Sequence, residues 1–349
     1  MYLVTGFPKL LAKRMAQSIL AGTPDNQVAL LVQEKRADEA RVFVGGLAAG
    51  RARMLVGDVA SMHLGLSTDE YRELAQGCTD IVHAAEASRL TAERSYMERV
   101  NIEGTRAVVE LAQDCRKLRR LTHFSTVFVS GDRVGVIAED ELSAGQSFRN
   151  AYEQTKFEAE IVVRRAMGQL PCTVLRPSIV VGDSKTGEID RFEGPYTIAI
   201  LLVTSPLTVP LPLPGDGVAA LNVVPIDFVV AAATAIHHDP RAVGRTFHIV
   251  DPTPSSSRRV YELVAQREGK KLPRLSLGYK LTDALLKLPG LERLTREQRM
   301  AIAYVNHLSF YGSRNTLELL DGKGLRCPPI EGYLDKLIDY ARDSLTRRG

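Results

Sequence analysis

Short apolar runs alternate with helix-like patterns through the first half of the chain. Residues 28–32 are continuously apolar, as expected for a strand that is covered on both faces of a sheet. Leu11, Met15 and Ile19 recur every fourth residue and predict one face of a helix that ends at residues 22–24. Further strands are predicted at residues 2–4, 53–56, 80–85, 122–129 and 172–176. Strands that alternate with helices in this way predict a parallel sheet with helices on both faces.

Helices are predicted between these strands over residues 92–116 and 150–167, and Ser67 with Glu70 forms a capping-box pattern that begins another helix. After Pro177 the pattern becomes irregular, and residues 182–217 are rich in Gly, Pro and Asp. The remaining predicted elements are a strand or turn at 223–227 leading into an apolar helix to Ile236, a strand at 247–250, and helices at about 258–268, 276–287, 295–306 and 331–346.

These patterns predict a Rossmann-type, doubly wound α/β fold with a smaller second lobe. Residues 1–182 and about 221–250 would form the dinucleotide-binding domain. Residues of about 183–220 and 251–349 would form a discontinuous, mainly helical substrate lobe.

Composition narrows the class of protein only a little. The 349 residues are 45% hydrophobic and 25% charged, and a net charge of +4 does not favour nucleic-acid binding. The four cysteines show neither metal-ligand nor disulfide spacing, so we expect reduced thiols, no metal site and a cytoplasmic protein. The apolar stretch Ile198–Leu213 contains three prolines, so a transmembrane segment is not expected.

Tyr152 and Lys156 are the residues that point most directly to chemistry. Spaced four apart in a predicted helix, they lie on one face. A nearby ammonium favours phenolate and so lowers the pKa of a tyrosine, which can then donate a proton to a carbonyl oxygen. Hydroxyl residues Ser125 and Thr126 occur upstream within a predicted strand, and Gly6 and Asp58 follow two other strands. Ligands bind at such carboxyl ends of parallel strands.

The ordered motifs resemble the extended short-chain dehydrogenase/reductase superfamily over about residues 1–250. Within it, residues 175–187, 191–196 and 222–227 resemble the branch of fatty acyl-CoA reductases, male-sterility-type proteins and thioester reductase domains. The resemblance implies that Thr126 hydrogen-bonds the substrate oxygen, with Ser125 as the alternative. It implies that Tyr152 is the general acid and that Lys156 holds the nicotinamide ribose.

The resemblance also implies a cofactor site. Its positions comprise the phosphate loop (Thr5, Gly6, Phe7, Pro8, Lys9 and Leu10), the adenine-holding Asp58 and Val59, the segment behind the cofactor (Ala84 and Ala85), and the segment beside the nicotinamide (Pro177, Ser178 and Ile179). Asn101 belongs either to the polar network of this site or to the buried structure.

The phosphate loop departs from the family pattern T-G-x-x-G-x-x-G. Gly6 is kept, but Lys9 replaces the second glycine and Ala12 the third. Because the second glycine lets the backbone approach the pyrophosphate, Lys9 either pairs with that anion or weakens cofactor binding. The second strand is followed by Gln33, where the branch usually has arginine, and then by Lys35 and Arg36, which could replace it. Glu34, between Gln33 and Lys35, could instead favour NADH, so only a slight preference for NADPH is expected.

The resemblance implies hydride transfer to a carbonyl, first of all that of an acyl thioester on CoA or on a separate acyl-carrier protein, giving an aldehyde or alcohol. A ketone of a sterol-like or secondary-metabolite type is the alternative substrate. A non-catalytic relative is the second alternative, because two loop glycines are lost. Leucines at 281–294 would line an acyl tunnel, the lobe core or a dimer surface. Lys271, Lys280 and Lys287 could meet a carrier's phosphates. Homodimerisation through residues 92–116 and 150–167 is an open alternative to a monomer.

Overall fold

The computed structural model describes residues 1–47, 50–190, 217–269, 304 and 307–346. Its strands are β1 (Tyr2–Thr5), β2 (Val28–Val32), β3 (Ala52–Val56), β4 (Asp80–His83), β5 (Arg120–Phe124), β6 (Gly135–Ile137), β7 (Cys172–Pro177), β8 (Ile179–Val181), β9 (Val223–Pro225), β10 (Thr246–Ile249) and β11 (Ser309–Tyr311). The described helices are α1 (Leu10–Gly22), α2 (Ala37–Gly45), α3 (Thr68–Gly77), α4 (Arg94–Met97), α5 (Gly104–Asp114), α6 (Ala151–Ala166), α7 (Ile226–His238), α8 (Ser257–Arg267), α9 (Arg314–Leu320) and α10 (Leu334–Thr346).

Seven strands form one parallel sheet in the order β10-β7-β5-β4-β1-β2-β3. The chain first moves outward from β1 through β2 to β3, then returns to β4 on the other side of β1 and moves outward again. The strand order therefore reverses between β1 and β4, and their carboxyl ends, at Thr5 and His83, border a crevice. The predicted Rossmann-type fold is confirmed.

Both faces of the sheet are covered by helices. On one face, Met15 and Ile19 of α1 pack with Val229 and Ile236 of α7. On the other face, α3, α5 and α6 bury a second apolar cluster that includes Leu74, Leu111 and Val163. Strands buried in this way can be apolar throughout, as the sequence of β2 is.

The C-terminal residues contact the sheet domain at several places. Strand β11 pairs with β6, and Leu319 and Leu320 of α9 lie in the same core as α1 and α7. A separate apolar cluster joins β8 and β9 to α8 and α10. Within the described part of the chain, no helix is both long and apolar enough to cross a membrane.

Several predicted boundaries differ from the structure. The fifth strand ends at Phe124 instead of residue 129, because Thr126 accepts a hydrogen bond from the backbone of Phe128 and begins a 3-10 turn. The predicted helix 92–116 is interrupted by a π-helical turn, Glu98–Glu103. The sequence patterns did not predict α2, α9 and the short pairs β6–β11 and β8–β9. The helix predicted at 276–287, the leucines at 281–294 and the three lobe lysines lie outside the described residues.

Candidate active site

Gly6 lies where the chain leaves β1, and its conformation requires a glycine. Its φ of +105° is strained for other residues, and a Cβ there would lie 2.7 Å from the carbonyl oxygen of Ala84. The side chain of Thr5 supports the same contact, because its Oγ1 accepts a hydrogen bond from the backbone of Ala85 at 3.2 Å. The loop after β1 and the segment after β4 are therefore packed backbone to backbone at the switch point.

The loop from Gly6 leads directly into α1. Phe7 is buried with its ring 5.7 Å from that of Phe43, and the Phe7–Pro8 peptide bond is cis. The first helical N–H, that of Leu10, donates to the carboxylate of Asp190. The amino end of a helix favours anions, so an acidic group at this position fits the electrostatics of α1.

The side chain of Lys9 lies across the loop and reaches the segment after β4. Its Nζ is 3.1 Å from Oε1 of Glu86 and 3.0 Å from the hydroxyl of Ser88. From the sequence, Lys9 was expected either to pair with the pyrophosphate or to weaken cofactor binding. Its contact with the carboxylate of Glu86 was not predicted. The available signal was an acidic residue directly after Ala84 and Ala85.

Gln33 and Asp58 meet at the carboxyl ends of β2 and β3. The amide Nε2 of Gln33 donates to Oδ2 of Asp58 at 2.7 Å, and Oδ1 of Asp58 accepts from the backbone of Ala60 at 2.9 Å. Lys35 and Arg36 follow β2 in a 3-10 turn, and Arg36 lies 3.5 Å from Glu39. Val59 is buried, and its side chain packs against the backbone at Gly104 of α5.

Tyr152 and Lys156 lie one turn apart on α6, beside Thr126. Asn150 caps this helix by accepting a hydrogen bond from the backbone of Glu153, which places Tyr152 in the first turn. The Nζ of Lys156 is almost fully buried and donates to the carbonyl of Phe124 at 2.6 Å. The carbonyl at the end of β5 thus holds the Lys156 ammonium in place, and α6 places the Tyr152 phenol one helical turn away.

Glu86 links the two lysines of the site to the phenol. Its Oε2 accepts from the hydroxyl of Tyr152 at 3.3 Å and lies 3.3 Å from Nζ of Lys156, while Oε1 contacts Lys9. Burial alone would raise the pKa of Glu86, but the ammonium groups of Lys9 and Lys156 outweigh it and lower that pKa to about 2. The carboxylate is therefore ionised at any working pH.

The pKa values of the two catalytic candidates move in opposite directions. Burial raises the pKa of Tyr152 well above 10, and the negative charge of Glu86 adds to this, whereas a hydrogen bond with Thr126 opposes it. Burial lowers the pKa of Lys156, and Glu86 partly restores it. The phenol is thus protonated, with the Thr126 hydroxyl beside it. The expectation that the Lys156 ammonium lowers the pKa of Tyr152 is wrong for this structure, because burial and the Glu86 carboxylate raise that pKa.

The structure separates the two hydroxyl candidates. Thr126 interacts with Tyr152, whereas the Ser125 hydroxyl donates to Oε2 of Glu160 at 2.6 Å. Glu160 is fully buried and is held by the guanidinium of Arg176 at 2.6 Å. Ser125 therefore belongs to a buried polar network beneath the pocket.

Asn101 lies in the π-helical turn and clamps the segment after β4. Its Oδ1 accepts from the backbone N–H of Ala87 at 2.8 Å, and its Nδ2 donates to the carbonyl of the same residue at 3.1 Å. The same Nδ2 donates to Thr155 of α6 at 2.9 Å. Asn101 thus ties the backbone next to Glu86 to the helix that carries Tyr152.

The remaining predicted positions border the same crevice. Pro177 ends β7, and Ser178 is buried with its N–H bonded to the carbonyl of Ile249 at 3.1 Å. Ile179 is half-buried at the start of β8. Tyr304, which sequence reasoning did not assign to the site, packs edge-on against Phe128 with ring centroids 4.6 Å apart.

Comparison with known proteins identifies the class. Residues 4–233 match the family described as male sterility protein. The chain is 25% identical over 275 residues to the fatty acyl-CoA reductase wat of Drosophila melanogaster, covering 66% of this chain and 53% of that protein. It is 23% identical over 299 residues to a linear gramicidin synthase of Brevibacillus parabrevis, covering 82% of this chain and 6% of that protein. The chain thus spans about half, or far less, of the length of these relatives.

Among solved structures, the terminal R domain from the myxalamid PKS-NRPS biosynthetic pathway superposes with a TM-score of 0.82. It is 26% identical, and the match covers 100% of this chain and 90% of that one. The fold and the family match place the chain among proteins of the extended short-chain dehydrogenase/reductase type, with Tyr152 and Lys156 as its candidate catalytic pair. The chain belongs to the male sterility protein family, which confirms the resemblance seen in its motifs.

Proposed function

We propose that this chain reduces the carbonyl of an acyl thioester, with NADPH as the preferred hydride donor, and releases an aldehyde and a free thiol. The observation that carries the proposal is the grouping of the Tyr152 phenol, the Thr126 hydroxyl and the Lys156 ammonium at the carboxyl end of β5. The similarity to a fatty acyl-CoA reductase and to a terminal R domain supports the thioester as substrate class.

The residues at the switch point fit a dinucleotide. Gly6 provides a loop with no side chain against Ala84, and α1 begins beside it. Lys9 supplies a positive charge for the pyrophosphate, and Lys156 would hold the nicotinamide ribose. Lys35 and Arg36 place two positive charges after β2, which supports NADPH.

When bound, the cofactor supplies a hydride to the carbonyl carbon of the substrate. The hydroxyls of Thr126 and Tyr152 would donate hydrogen bonds to the carbonyl oxygen, where negative charge develops. Lys156 favours the phenolate that remains after Tyr152 gives up a proton, because an adjacent ammonium stabilises that anion. As the tetrahedral intermediate collapses, its hydroxyl proton returns to the Tyr152 phenolate and the carbon–sulfur bond breaks. The thiolate that leaves takes up a proton from solvent, and the aldehyde is released.

We further propose that the substrate is presented on CoA or on a separate carrier protein, and that a lobe of residues from about 183–220 and 251–349 receives it. Helix α9 is the exception within this range, because its Leu319 and Leu320 pack in the core of the sheet domain. Tyr304 and His307 support this division, since they approach the start of α6 from the C-terminal region. Asn150 donates to the Tyr304 hydroxyl at 2.8 Å, and Nη2 of Arg149 lies 2.5 Å from Nδ1 of His307.

Calorimetric titration with NADPH and NADH, followed by assays with acyl-CoA and ketone substrates, tests the proposal. We expect tighter binding of NADPH, consumption of the thioester and release of titratable thiol. Reduction of a ketone without turnover of the thioester would show that the substrate belongs to the alternative class, the ketones. Failure of the folded protein to bind either cofactor would favour the non-catalytic alternative.

A further inference from the structure

Lys9 and Glu86 are 77 residues apart in sequence, yet their side chains form one ion pair at the mouth of the site. The Nζ–Oε1 distance is 3.1 Å, and the side chains are 35% and 24% exposed. Lys9 stands where the family pattern has a glycine, so a side chain absent from that pattern meets a carboxylate beside the phosphate loop. The pairing suggests that the two residues act together.

The other carboxylate oxygen of Glu86 reaches the catalytic groups. It lies 3.3 Å from the Lys156 ammonium and 3.3 Å from the Tyr152 hydroxyl. The ammonium that would hold the ribose is therefore partly neutralised by Glu86. A cofactor that carries negative phosphates would also meet this carboxylate at short range, where like charges repel.

Counting charges shows what Lys9 contributes. With Lys9, Glu86 and Lys156 together, the cluster carries two positive charges and one negative charge. With a glycine at position 9, Glu86 and Lys156 would cancel. Lys9 thus makes this three-residue cluster net positive near the amino end of α1, where the Leu10 N–H already donates to the carboxylate of Asp190. Without Lys9, the acidic Asp190 would face a neutral cluster.

We infer that Lys9 and Glu86 form one compensating unit in which Glu86 positions the Lys9 and Lys156 ammonium groups and competes with the dinucleotide for both of them. Lys9 offsets this competition and stands in for the missing glycine. Both side chains are partly exposed and their contacts are longer than 3.0 Å, so the pair can exchange Glu86 for a phosphate. The inference rests on the proposed function.

The test is a double-mutant cycle read by NADPH binding in the intact protein: wild type, Lys9→Gly, Glu86→Gln and the double variant, with calorimetric Kd values. Glycine is acceptable at position 9 because that residue precedes α1 as its N-cap. We expect Lys9→Gly to weaken binding about 10-fold and Glu86→Gln alone to tighten it about threefold, so additive effects would leave the double variant about threefold weaker than wild type. If the two residues compensate each other, Glu86→Gln should tighten binding more in the Lys9→Gly background than in wild type, and the double variant should bind at least as tightly as wild type. Lys9→Met, which keeps the side-chain bulk, is expected to weaken binding as well.

Lys323→Met is the matched control. Its Nζ lies 3.2 Å from Asp239 and its side chain is 37% exposed, much like that of Lys9, but Asp239 contacts Arg120 at the amino end of β5, away from the site. We expect it to leave the Kd unchanged, which would exclude a general effect of net charge. Urea midpoints of all variants establish that each is folded.

The outcomes separate this inference from the proposed function. If wild type binds NADPH but the two substitutions are additive, or Glu86→Gln weakens binding, the inference falls and the reductase function stands. If NADPH binds to Glu86→Gln but not to wild type, the result supports the inference, because Glu86 then excludes the dinucleotide entirely. Absence of binding in wild type and Glu86→Gln alike overturns both proposals.

Discussion

Two carboxylates near α6, Glu160 and Glu86, contact the same kinds of side chains but differ in burial and in contact geometry. Each contacts two cationic side chains and one hydroxyl. The partners of Glu160 are Arg164, Arg176 and Ser125. The partners of Glu86 are Lys9, Lys156 and Tyr152.

The two clusters differ in burial and in geometry. Glu160 is fully buried, and its contacts of 2.6–3.2 Å come from two guanidinium groups and the Ser125 hydroxyl, which together satisfy both oxygens. Glu86 is partly exposed, and its contacts of 3.1–3.3 Å come from single ammonium or phenol groups. A buried carboxylate whose oxygens are both hydrogen-bonded stabilises the fold. A partly exposed carboxylate with longer contacts can give up its partners to a ligand. We therefore expect the Glu160 cluster to stabilise the fold beneath the candidate site, and the Glu86 cluster to take part in ligand binding.

Removing the phenol is expected to have the largest effect. Tyr152→Phe deletes the proton donor and should lower kcat by about 10²–10⁴-fold, the usual contribution of a general acid. Steady-state assays with an acyl-CoA substrate measure this loss. The urea midpoint and the NADPH Kd serve as controls for folding and cofactor binding. Turnover close to wild type would remove Tyr152 from the mechanism.

Breaking the buried cluster should affect stability. Arg176→Met leaves the Glu160 carboxylate buried with one cation fewer, and loss of a partner from such a pair costs about 3–5 kcal/mol of unfolding free energy. Urea denaturation measures it. Glu86→Gln, which neutralises a partly exposed carboxylate, should cost about 1 kcal/mol or less. Equal losses for the two variants would contradict the distinction between the clusters.

We expect the neighbouring hydroxyls to differ in the same way, with Thr126 contributing to turnover and Ser125 to stability. Thr126→Val removes a donor to the developing oxyanion, and we expect a loss in kcat of about 10²-fold. Ser125→Ala deletes a bond to buried Glu160, so we expect about 1–2 kcal/mol of lost stability and a smaller loss of turnover than in Thr126→Val. Measuring kcat and the urea midpoint for both variants shows which hydroxyl affects turnover and which affects stability. A larger kcat loss at Ser125 would reverse the assignment.

The sequence predicted the parts of the site that depend on local order. Tyr152 and Lys156 share a helix face by spacing, and Gly6 and Asp58 follow buried strands. The choice between Ser125 and Thr126 needed the structure. Successive side chains in extended backbone point to opposite sides, so an error of one residue in register exchanges their roles.

Contacts between distant segments could not be predicted. The pairing of β6 with β11 joins residues about 174 positions apart, through strands of three residues that carry little periodicity. The Lys9–Glu86 pair has the same origin, since it exists because β1 and β4 are neighbours in the sheet. Only the strand order places the loops after these two strands together.

The pH dependence of stability should show the smallest difference between the clusters. The pKa of Glu86 is lowered to about 2, so its ionised form stabilises the fold above the ordinary glutamate pKa, and this stabilisation is lost as pH falls toward 2. The urea midpoint of wild type should therefore exceed that of Glu86→Gln at pH 6, and the gap should narrow below about pH 4.5.

Salt provides the control for this last measurement. Because Glu86 and Lys9 are partly exposed, about 0.5 M NaCl should reduce the gap at pH 6. The loss caused by Arg176→Met should persist in the same salt, because a buried pair is screened far less. A gap at Glu86 that widens toward acid pH, or that salt leaves unchanged, would show that the carboxylate is not held in its ionised form by the two ammonium groups.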